Sequence, residues 1–313
     1  MAAPQLDGSG NTLPSTLFEM TSIQNAPMTK YITVSNGVKI FYREAGSRDN
    51  PTFLLLHGFP SSSNQYRHLI TALAPRYHIL APDLPGFGFT ETPADYVHNF
   101  ANLANTVDAF LESLEIKKFA IYIFDYGAPT GLRLALKRPN DILAIVSQNG
   151  NAYEDGFGDF WSVVHPLWKG TPSQAVKDEA AGNLLTLAAT RFQYETGTPN
   201  IEALNPAAWT LDQALLDRPG QKDVQLGLFI DYQNNVKLYP EFQRFFRESS
   251  VPILAIWGKN DVIFIPPGAE AFKRDSKNAE VKLIDAGHFA LESDWVEIAE
   301  EILAFFAKHH ISP

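Results

Sequence analysis

Short apolar runs alternate with amphipathic stretches through the first half of this 313-residue chain. The runs have the continuous apolar character of strands that are buried on both faces of a sheet. The stretches between them place apolar residues three and four positions apart, as amphipathic helices do. This alternation predicts an α/β fold with a doubly wound, mostly parallel sheet and right-handed crossovers. The predicted strands occupy 52–58, 77–83, 118–125 and 142–150, and the predicted helices 64–74, 98–115 and 127–138.

The chain before these elements divides into an arm and a hairpin. Residues 1–28 are rich in Pro, Gly, Ser, Thr and Asn, which predicts an extended or partly disordered arm. Residues 31–46 form two alternating segments on either side of Asn36-Gly37, the kind of dipeptide that most strongly favours a tight hairpin. The core is therefore expected to begin at about residue 29 with antiparallel strands.

The alternation of strands and helices stops after residue 150. Residues 151–249 contain helical stretches interrupted by Trp, Tyr and Pro, which predicts an inserted, mainly helical cap. We expect residues 29–150 and 250–313 to form the two parts of one α/β core around this cap. In the second part, 251–261 and 279–288 resume the pattern of buried strands. The predicted cap helices lie near 159–168, 173–195, 211–217 and 239–248.

Composition excludes several kinds of partner and chemistry. The formal net charge of −10 opposes binding to nucleic acid or to an anionic membrane surface. The chain has no cysteine, so neither a disulfide nor a thiolate nucleophile is expected. No apolar run reaches the roughly 18 residues that span a bilayer, and the first residues lack the segments of a secretory signal. We therefore expect a cytoplasmic protein. No metal or nucleotide cofactor is expected either, because the histidines are scattered and no phosphate-binding glycine motif is complete.

Asp125 stands at an abrupt junction between a strand and a helix. The apolar run 119–124 ends at Asp125, and a helical pattern with Gly127 near its start follows at once. Such a turn lifts a side chain above the sheet and directs it toward the helix N-terminus, where an anion is favoured. Asp125 is therefore a candidate ionised nucleophile. Because aspartate is also an ordinary helix N-cap, the hypothesis depends on the residues around it.

Those residues complete a catalytic pattern. The segment HGFP at 57–60 follows a predicted strand, and its glycine lets the backbone N–H of Phe59 approach a reacting oxygen. The N–H of Tyr126 is the expected second donor of this oxyanion hole. Asp261 and His288 each follow an apolar run, so acid and base are expected at the carboxyl edge of the sheet, where α/β proteins bind substrates.

The order of nucleophile, acid and histidine is that of the α/β-hydrolases. The chain resembles this superfamily over about residues 30–310, and within it the branch of epoxide hydrolases and haloalkane or haloacetate dehalogenases that uses an Asp nucleophile. The resemblance implies that Asp125 forms an alkyl ester and that His288, held by Asp261, activates the water that hydrolyses it. It also implies that the segment PDLPGFG is a structural turn. The segments that resemble the superfamily are HGFP, PDLPGFG, FDYGAPTG, WGKND and DAGHFALE.

Epoxide opening needs a proton donor for the leaving alkoxide. In the epoxide hydrolases that this chain resembles, cap tyrosines are the donors, and one lies in a Tyr-Arg-x-Asn segment near the end of the cap. Residues 232–235, YQNN, are similar, with glutamine in place of arginine. The resemblance therefore implies Tyr232 as one donor. The candidates for a second donor, among which the sequence does not choose, are Tyr153, Tyr194 and Tyr239.

Halide release instead needs weak donors in an apolar pocket. Haloalkane dehalogenases usually place a Trp directly after the nucleophile, where this chain has Tyr126, and an Asn where it has Phe59. Haloacetate dehalogenases add arginines beside the nucleophile, but 126–130 contain none, and Arg133 lies a turn further into the helix. Indole donors from the cap remain an alternative, and the candidates are Trp161, Trp168 and Trp209.

The aromatic cap favours a pocket for a small apolar organic substrate. Epoxide hydrolysis to a diol is the leading prediction and dehalogenation the second. A third hypothesis, from another class, is a cofactor-free lyase or isomerase or a small-molecule receptor on the same scaffold, although the complete catalytic set argues against a pure receptor. The cap residues that are candidates for lining the pocket are Tyr153, Trp161, Trp168, Tyr194 and Tyr239.

Overall fold

The computed structural model describes residues 27–311, within which eight strands form one sheet. The strands are β1 (Met28–Thr33), β2 (Lys39–Ala45), β3 (Thr52–Leu56), β4 (His78–Pro82), β5 (Phe119–Phe124), β6 (Ile142–Gln148), β7 (Ile253–Gly258) and β8 (Ala279–Ile284). Their order is β1-β2-β4-β3-β5-β6-β7-β8. β2 is antiparallel to both of its neighbours, and all pairings from β4 to β8 are parallel. The predicted α/β class with a mostly parallel sheet is confirmed.

The hairpin at the start of the sheet forms where Asn36-Gly37 predicts it. Gly37 has a φ of +82°, and the N–H of Val34 donates to the carbonyl of Val38 at 2.9 Å to close the turn between β1 and β2. Such a left-handed conformation is accessible to glycine without steric cost. The predicted arm, 1–28, lies outside the described residues except for its last two, the second of which begins β1.

Helices cover both faces of the sheet. The helices of the described residues are α1 (Arg67–Leu73), α2 (Phe100–Ser113), α3 (Gly127–Lys137), α4 (Gln174–Leu184), α5 (Leu187–Glu195), α6 (Pro206–Leu216), α7 (Gln221–Asp231), α8 (Gln233–Val236), α9 (Tyr239–Glu248), α10 (Pro267–Asp275), α11 (Ala290–Ser293) and α12 (Trp295–Lys308). Successive strand residues point to opposite faces, so Phe53 and Leu55 of β3 pack with α1 and α12, while Leu54 and Leu56 pack with α2 and α3. The sheet is therefore doubly wound, as expected.

The cap lies between β6 and β7 and is mainly helical, as expected. Its helices differ from the predicted ones in three places. The stretch 159–168 is two short 3₁₀ helices rather than one α-helix. The stretch 173–195 divides into α4 and α5, because the Thr186 side chain accepts the N–H of Ala189 at 3.2 Å and caps a new helix.

The third difference concerns the middle of the cap. α6 begins at Pro206, earlier than the predicted start at 211, because Asn205 caps it and proline suits the first position of a helix. α7 and α8 follow where no helix was predicted, and they include the position of Tyr232 at their junction. In the core, α10 is also a helix that the sequence pattern did not predict.

Buried polar side chains hold the turns below the cap. Asp83 accepts the backbone N–H groups of Ser63 at 2.7 Å and Phe89 at 2.8 Å, which gives the PDLPGFG segment a structural role. His57 accepts the N–H of Leu84 at 2.9 Å through Nε2, so this fully buried histidine also supports a turn. The loops after β3 and β4 are thereby joined next to the carboxyl edge of the sheet.

Candidate active site

The structure holds Asp125 in a tight turn between β5 and α3. β5 ends at Phe124 and α3 begins at Gly127, so the chain reverses within two residues. Asp125 has a φ of +46°, in the left-handed region that is costly for residues with side chains. A Cβ on Gly127 would overlap the carbonyl oxygen of Leu56, and a Cβ on Gly58 would overlap the Asp125 side chain. Glycine at both positions therefore allows the turn to lie directly against β3.

Two backbone N–H groups stabilise the carboxylate of Asp125 in its charged form. The N–H of Phe59, after β3, donates to Oδ1 at 2.6 Å. The N–H of Tyr126, at the start of α3, also favours the charged form of this carboxyl group. The two backbone N–H groups expected to form an oxyanion hole thus both act on the Asp125 side chain. If Asp125 carried an ester, donors in this position could hold the oxygen on which negative charge develops when water attacks.

Burial of Asp125 opposes the stabilisation that the two backbone N–H groups give to its charged form. Only 5% of Asp125 is exposed, and removal of the carboxylate from water raises its pKa to about 6. The charge of His288 and the two backbone N–H groups lower the pKa, while the charge of Asp261 raises it. Asp125 is therefore ionised at neutral pH. It becomes protonated at a higher pH than expected for an aspartate that a helix N-terminus stabilises in its charged form.

His288 and Asp261 form a buried pair at the ends of β8 and β7. His288 Nδ1 lies 2.7 Å from Asp261 Oδ2, and since an ionised carboxylate can only accept, Nδ1 donates. In the neutral imidazole this leaves Nε2 with a lone pair. Nε2 is buried and has no hydrogen-bond partner among residues 27–311, so it is free to accept a proton from a water or substrate.

Two residues that sequence analysis did not single out support this pair. Asn149 donates from Nδ2 to Asp261 Oδ2 at 2.6 Å, and its Oδ1 accepts the N–H of Gly258 at 3.0 Å. Gln148 donates from Nε2 to the His288 carbonyl at 3.0 Å. Gln148 is the last residue of β6 and Asn149 follows it, at the edge of the sheet where Asp261 and His288 lie. Their position directly after a buried apolar run was the available signal.

The Asp261 and Asp125 charges also set the protonation of His288. Burial alone would lower the pKa of the imidazole. The charge of Asp261, its hydrogen bond to Nδ1 and the charge of Asp125 together outweigh burial and raise the pKa above its usual 6.5. The neutral form that a general base requires therefore predominates only at higher pH than for an isolated histidine.

Tyr232 lies in the aromatic cluster between the cap and the nucleophile. Its ring centroid is 5.7 Å from that of Tyr126 and 4.7 Å from that of Trp161, and the residue is fully buried. Burial is the main cause that raises the pKa of the Tyr232 phenol, and the charge of Asp125 adds to it. The hydroxyl therefore stays protonated near a carboxylate, as a proton donor must.

Among the three candidates for a second tyrosine donor, the structure brings one to Tyr232. The Tyr239 hydroxyl lies 3.4 Å from that of Tyr232. Tyr194 instead donates its hydroxyl to Asp212 at 2.5 Å. Tyr153 packs between α9 and α10, with its ring centroid 6.4 Å from that of Phe246 and 5.3 Å from that of Phe272. Their positions therefore do not support Tyr153 and Tyr194 as donors in the pocket.

Two of the three candidate cap tryptophans, Trp161 and Trp168, contact Tyr232, but their N–H groups are already bound. The third, Trp209, packs against Tyr194, with ring centroids 5.8 Å apart. Trp161 Nε1 donates to the carbonyl of Ile263 at 3.0 Å, and Trp168 Nε1 donates to the carbonyl of Phe229 at 2.9 Å. Both indoles therefore contribute apolar surface around Tyr232 rather than a free donor. This is the packing role that is usual for a buried tryptophan.

The side chain of Tyr126 is a feature that the sequence interpretation missed. Only its backbone N–H was expected to act, yet its hydroxyl is buried and lacks a hydrogen-bond partner within the described residues. The ring lies 4.9 Å from Phe100 and 5.9 Å from Phe59. Its place directly after the nucleophile, where haloalkane dehalogenases carry their Trp donor, was the signal that could have found it.

Within 27–311, no group of three or more His, Asp or Glu side chains is arranged to hold a metal ion. Over the same residues, no helix has both the length and the apolar character needed to cross a membrane.

Comparison with known proteins shows the family to which this fold belongs. A family model described as the alpha/beta hydrolase fold matches residues 51–294. The chain is 54% identical over 280 residues to an uncharacterised hydrolase of Saccharomyces cerevisiae, covering 89% of this chain and 97% of the relative. A haloalkane dehalogenase of Bradyrhizobium diazoefficiens is 36% identical over 104 residues, a third (33%) of each chain. The solved structure of the epoxide hydrolase CorEH has a TM-score of 0.73 at 19% identity, covering 90% of this chain and 99% of that one.

The region matched by the family model extends from β3 to the end of α11 and contains Asp125, Asp261 and His288. The resemblance inferred from the sequence motifs, with epoxide hydrolases and dehalogenases among the relatives and structural neighbours, is confirmed. The chain belongs to the family of hydrolases with the α/β-hydrolase fold.

Proposed function

We propose that this hydrolase opens a small apolar epoxide to a diol through an alkyl ester on Asp125. The observation that supports this reaction best is the buried pair of cap hydroxyls, Tyr232 and Tyr239, 3.4 Å apart. An alkoxide leaving group requires a proton donor, whereas a halide does not. At 3.4 Å the hydroxyl–hydroxyl contact is long for a hydrogen bond, so the Tyr232 proton can turn toward a substrate oxygen.

In the first half-reaction the ionised carboxylate of Asp125 attacks one epoxide carbon. Oδ1 accepts the N–H of Phe59, so the second carboxylate oxygen is the better placed nucleophile. The carbon–oxygen bond of the ring breaks, and the departing oxygen takes the phenol proton of Tyr232. No general base is needed, because the nucleophile is already an anion. The products are a hydroxyalkyl ester on Asp125 and a phenolate on Tyr232.

In the second half-reaction His288 Nε2 takes a proton from water as the water oxygen adds to the ester carbonyl carbon. The N–H groups of Phe59 and Tyr126 hold the oxyanion that forms. The bond to the alkyl oxygen then breaks, and this oxygen takes the proton from His288 and leaves as the diol. Asp125, now a carboxylic acid, returns its proton to the phenolate of Tyr232, which restores both groups.

Dehalogenation is the second candidate, and one observation favours it. The Tyr126 hydroxyl is buried beside the nucleophile without a hydrogen-bond partner among the described residues, so it could donate to a departing halide. Against it, the indole N–H groups of Trp161 and Trp168 are bound to backbone carbonyls, which removes two of the three candidate indole donors. The third candidate, Trp209, packs against Tyr194. Epoxide opening instead uses the hydroxyls of Tyr232 and Tyr239, which lie side by side.

The test is the intact mass of purified His288→Ala after incubation with terminal epoxides and haloalkanes. Only the second half-reaction needs the base, so this variant should form the ester on Asp125 and fail to hydrolyse it. The proposal predicts a mass increase equal to the whole epoxide. Asp125→Asn, which lacks the nucleophile, is the blank and should show no adduct with any compound.

Other results would contradict the proposal in different ways. A mass increase equal to a haloalkane less hydrogen halide, without any epoxide adduct, would identify a dehalogenase. A folded His288→Ala variant that forms no adduct with any compound would argue against Asp125 as nucleophile. That result would favour a cofactor-free lyase or isomerase, or a small-molecule receptor.

A further inference from the structure

The position of the Tyr232 hydroxyl depends on the junction between α7 and α8. Tyr232 is the residue between these helices. Its carbonyl accepts the backbone N–H of Asn235 at 2.8 Å, and its own N–H donates to the carbonyl of Leu228 at 2.9 Å. The ring is enclosed on several sides by aromatic rings, so it can move little on its own. A shift of the junction would therefore move the hydroxyl with it.

Arg133 of α3 binds this junction from the core. Its Nη2 donates to Asn235 Oδ1 at 2.9 Å and its Nε to the same oxygen at 3.3 Å. Nη2 also lies 3.4 Å from the carbonyl of Asn234. The charge of Asp231 attracts the guanidinium, and Asp231 in turn accepts the N–H of Phe100 at 2.8 Å. The residues on both sides of Tyr232 are thus tied to α2 and α3.

The neighbouring glutamine does not make this connection. Gln233 donates its side-chain amide to the carbonyl of Ile230 at 2.9 Å, within the cap itself. The direct hydrogen bonds from α3 to the junction come from the half-buried guanidinium of Arg133. Its planar fork holds the Asn235 amide oxygen with two donors, which fixes direction as well as distance.

α3 also holds the nucleophile. It begins at Gly127, two residues after Asp125, and Arg133 lies about 9 Å further along its axis at 1.5 Å per residue. The helix is packed closely on the sheet, because a Cβ on Gly131 would come within 2.6 Å of the Ile123 side chain. One rigid helix therefore connects the turn that presents Asp125 to the cap junction that presents Tyr232.

We propose that Arg133 is a positioning residue that, through Asn235, holds the Tyr232 hydroxyl in place for protonation of the departing epoxide oxygen. This inference rests on the proposed epoxide chemistry. Arg133 takes no part in the second half-reaction. Its loss should slow formation of the ester and leave hydrolysis of the ester unchanged.

The experiment measures the rate of epoxide adduct formation in the His288→Ala background, where only the first half-reaction occurs. Three variants are added to this background: Arg133→Ala, Tyr232→Phe and the two together. A misplaced catalytic group typically slows a reaction by about 10- to 100-fold, and we expect Arg133→Ala to fall in this range. If Arg133 acts through the Tyr232 hydroxyl, adding Arg133→Ala to Tyr232→Phe should slow the reaction less than about twofold.

A merely structural role would give a different pattern. Arg133→Ala would then slow adduct formation by the same factor with and without the Tyr232 hydroxyl, and this would overturn the inference. So would an unchanged rate in Arg133→Ala when Tyr232→Phe is slow. If Tyr232→Phe itself reacts at the original rate, or if no variant forms an adduct, the proposed function has failed instead.

Two further variants guard against loss of folding. Lys137→Ala, one turn along the same helix, removes the ion pair between this exposed lysine and the half-buried Asp108 and should leave adduct formation unchanged. Arg133→Lys keeps the positive charge near Asp231 but lacks the two-donor fork. If Arg133→Ala unfolds on heating much earlier than the parent, Arg133→Lys takes its place, with the same non-additivity expected and the same additive result overturning the inference.

Discussion

The charges on Asp125 and His288 are coupled, and the proposed reaction uses that coupling. In the free enzyme the Asp125 charge helps to raise the pKa of His288, and the His288 charge lowers the pKa of Asp125. Ester formation removes the charge on Asp125. The pKa of His288 should then fall, so the imidazole becomes a neutral base at the step that needs one.

This coupling predicts the effect of Asp125→Asn on His288. The amide is neutral, like the ester, so the pKa of His288 should be lower in Asp125→Asn than in the parent protein. Titration of His288 by ¹⁵N NMR measures it directly. Asp285→Asn, which removes an exposed carboxylate that hydrogen-bonds to Asn260, is the matched control and should leave the His288 titration unchanged. An equal His288 pKa in Asp125→Asn and the parent would show that the two groups do not interact.

At the residue scale, the sequence predicted the positions of Asp125, Asp261 and His288 because each follows a segment that forms a strand of the parallel sheet. Parallel strands bring their carboxyl ends to one edge, so no knowledge of side-chain packing was needed. The choice of Tyr239 over Tyr153 and Tyr194 depends on how cap helices pack, which no local pattern in one sequence contains.

Close packing of α3 on the sheet is the element-scale feature on which the site depends. Gly131 faces Ile121 and Ile123 of β5, and an ideal Cβ there would lie 2.6 Å from the Ile123 side chain and 2.7 Å from that of Ile121. Contact at these distances forces the isoleucine side chains, the helix or the strand to shift. Because α3 begins at the turn of Asp125, a shift of the helix would reach the nucleophile.

Gly131→Ala should therefore destabilise the protein by about 1–3 kcal/mol, the usual effect of overpacking a core. Gly182 of α4 provides the matched control, because it is an exposed helical glycine with no atom near its Cβ position. Gly182→Ala should stabilise the protein by about 0.5–1 kcal/mol, since alanine favours the helix. Urea unfolding measures both changes. Destabilisation by Gly182→Ala, or none by Gly131→Ala, would contradict this account of the packing.

The elements of the core were easier to predict than those of the cap. The central strands β3, β4, β5 and β7 are buried on both faces and appear as continuous apolar runs. The edge strand β8 is half-exposed, so the prediction of a buried strand was wrong there. In the cap, α7, QKDVQLGLFID, shows no single apolar stripe. α9 was predicted because its phenylalanines line one face. The break at Thr186 was missed, although a threonine before a helical pattern is a recognised N-cap. Cap helices contact neighbours on several sides, which weakens the periodicity that prediction requires.

At the scale of the whole molecule, the cap meets the core beside the buried carboxyl group of Asp212. Asp212 of α6 accepts the Tyr194 hydroxyl at 2.5 Å, and Ser61 of the core also favours its charged form. Nearby, Arg67 binds Glu292 through two contacts of 2.8 and 2.5 Å. Arg67 is thus engaged by Glu292. Burial raises the pKa of Asp212 from 3.8 to about 8, and the Glu292 charge contributes to the rise.

This shift predicts how stability changes with pH. Between pH 3.8 and about 8 the folded protein keeps a proton on Asp212 that the unfolded chain has lost, so this group makes the free energy of unfolding fall as pH rises. The fall is at most about 1.4 kcal/mol per pH unit. Asp212→Asn cannot titrate, so its stability relative to the parent should increase steadily from pH 5 to pH 8. Urea unfolding of both proteins at each pH measures the difference.

Asp217, just after α6, is the matched control for this experiment. The hydrogen bond from Lys222 is the main cause that lowers the pKa of Asp217, so its contribution to stability is lost only as pH falls below the ordinary range of a carboxyl group. Asp217→Asn should therefore leave the pH dependence between 5 and 8 as it is in the parent. A difference between Asp212→Asn and the parent that stays constant over this range would mean that Asp212 is already ionised where the cap contacts the core. In that case the charge of Arg67 would have to stabilise the carboxylates of both Glu292 and Asp212. The contact between cap and core would then depend on this charge rather than on a protonated Asp212.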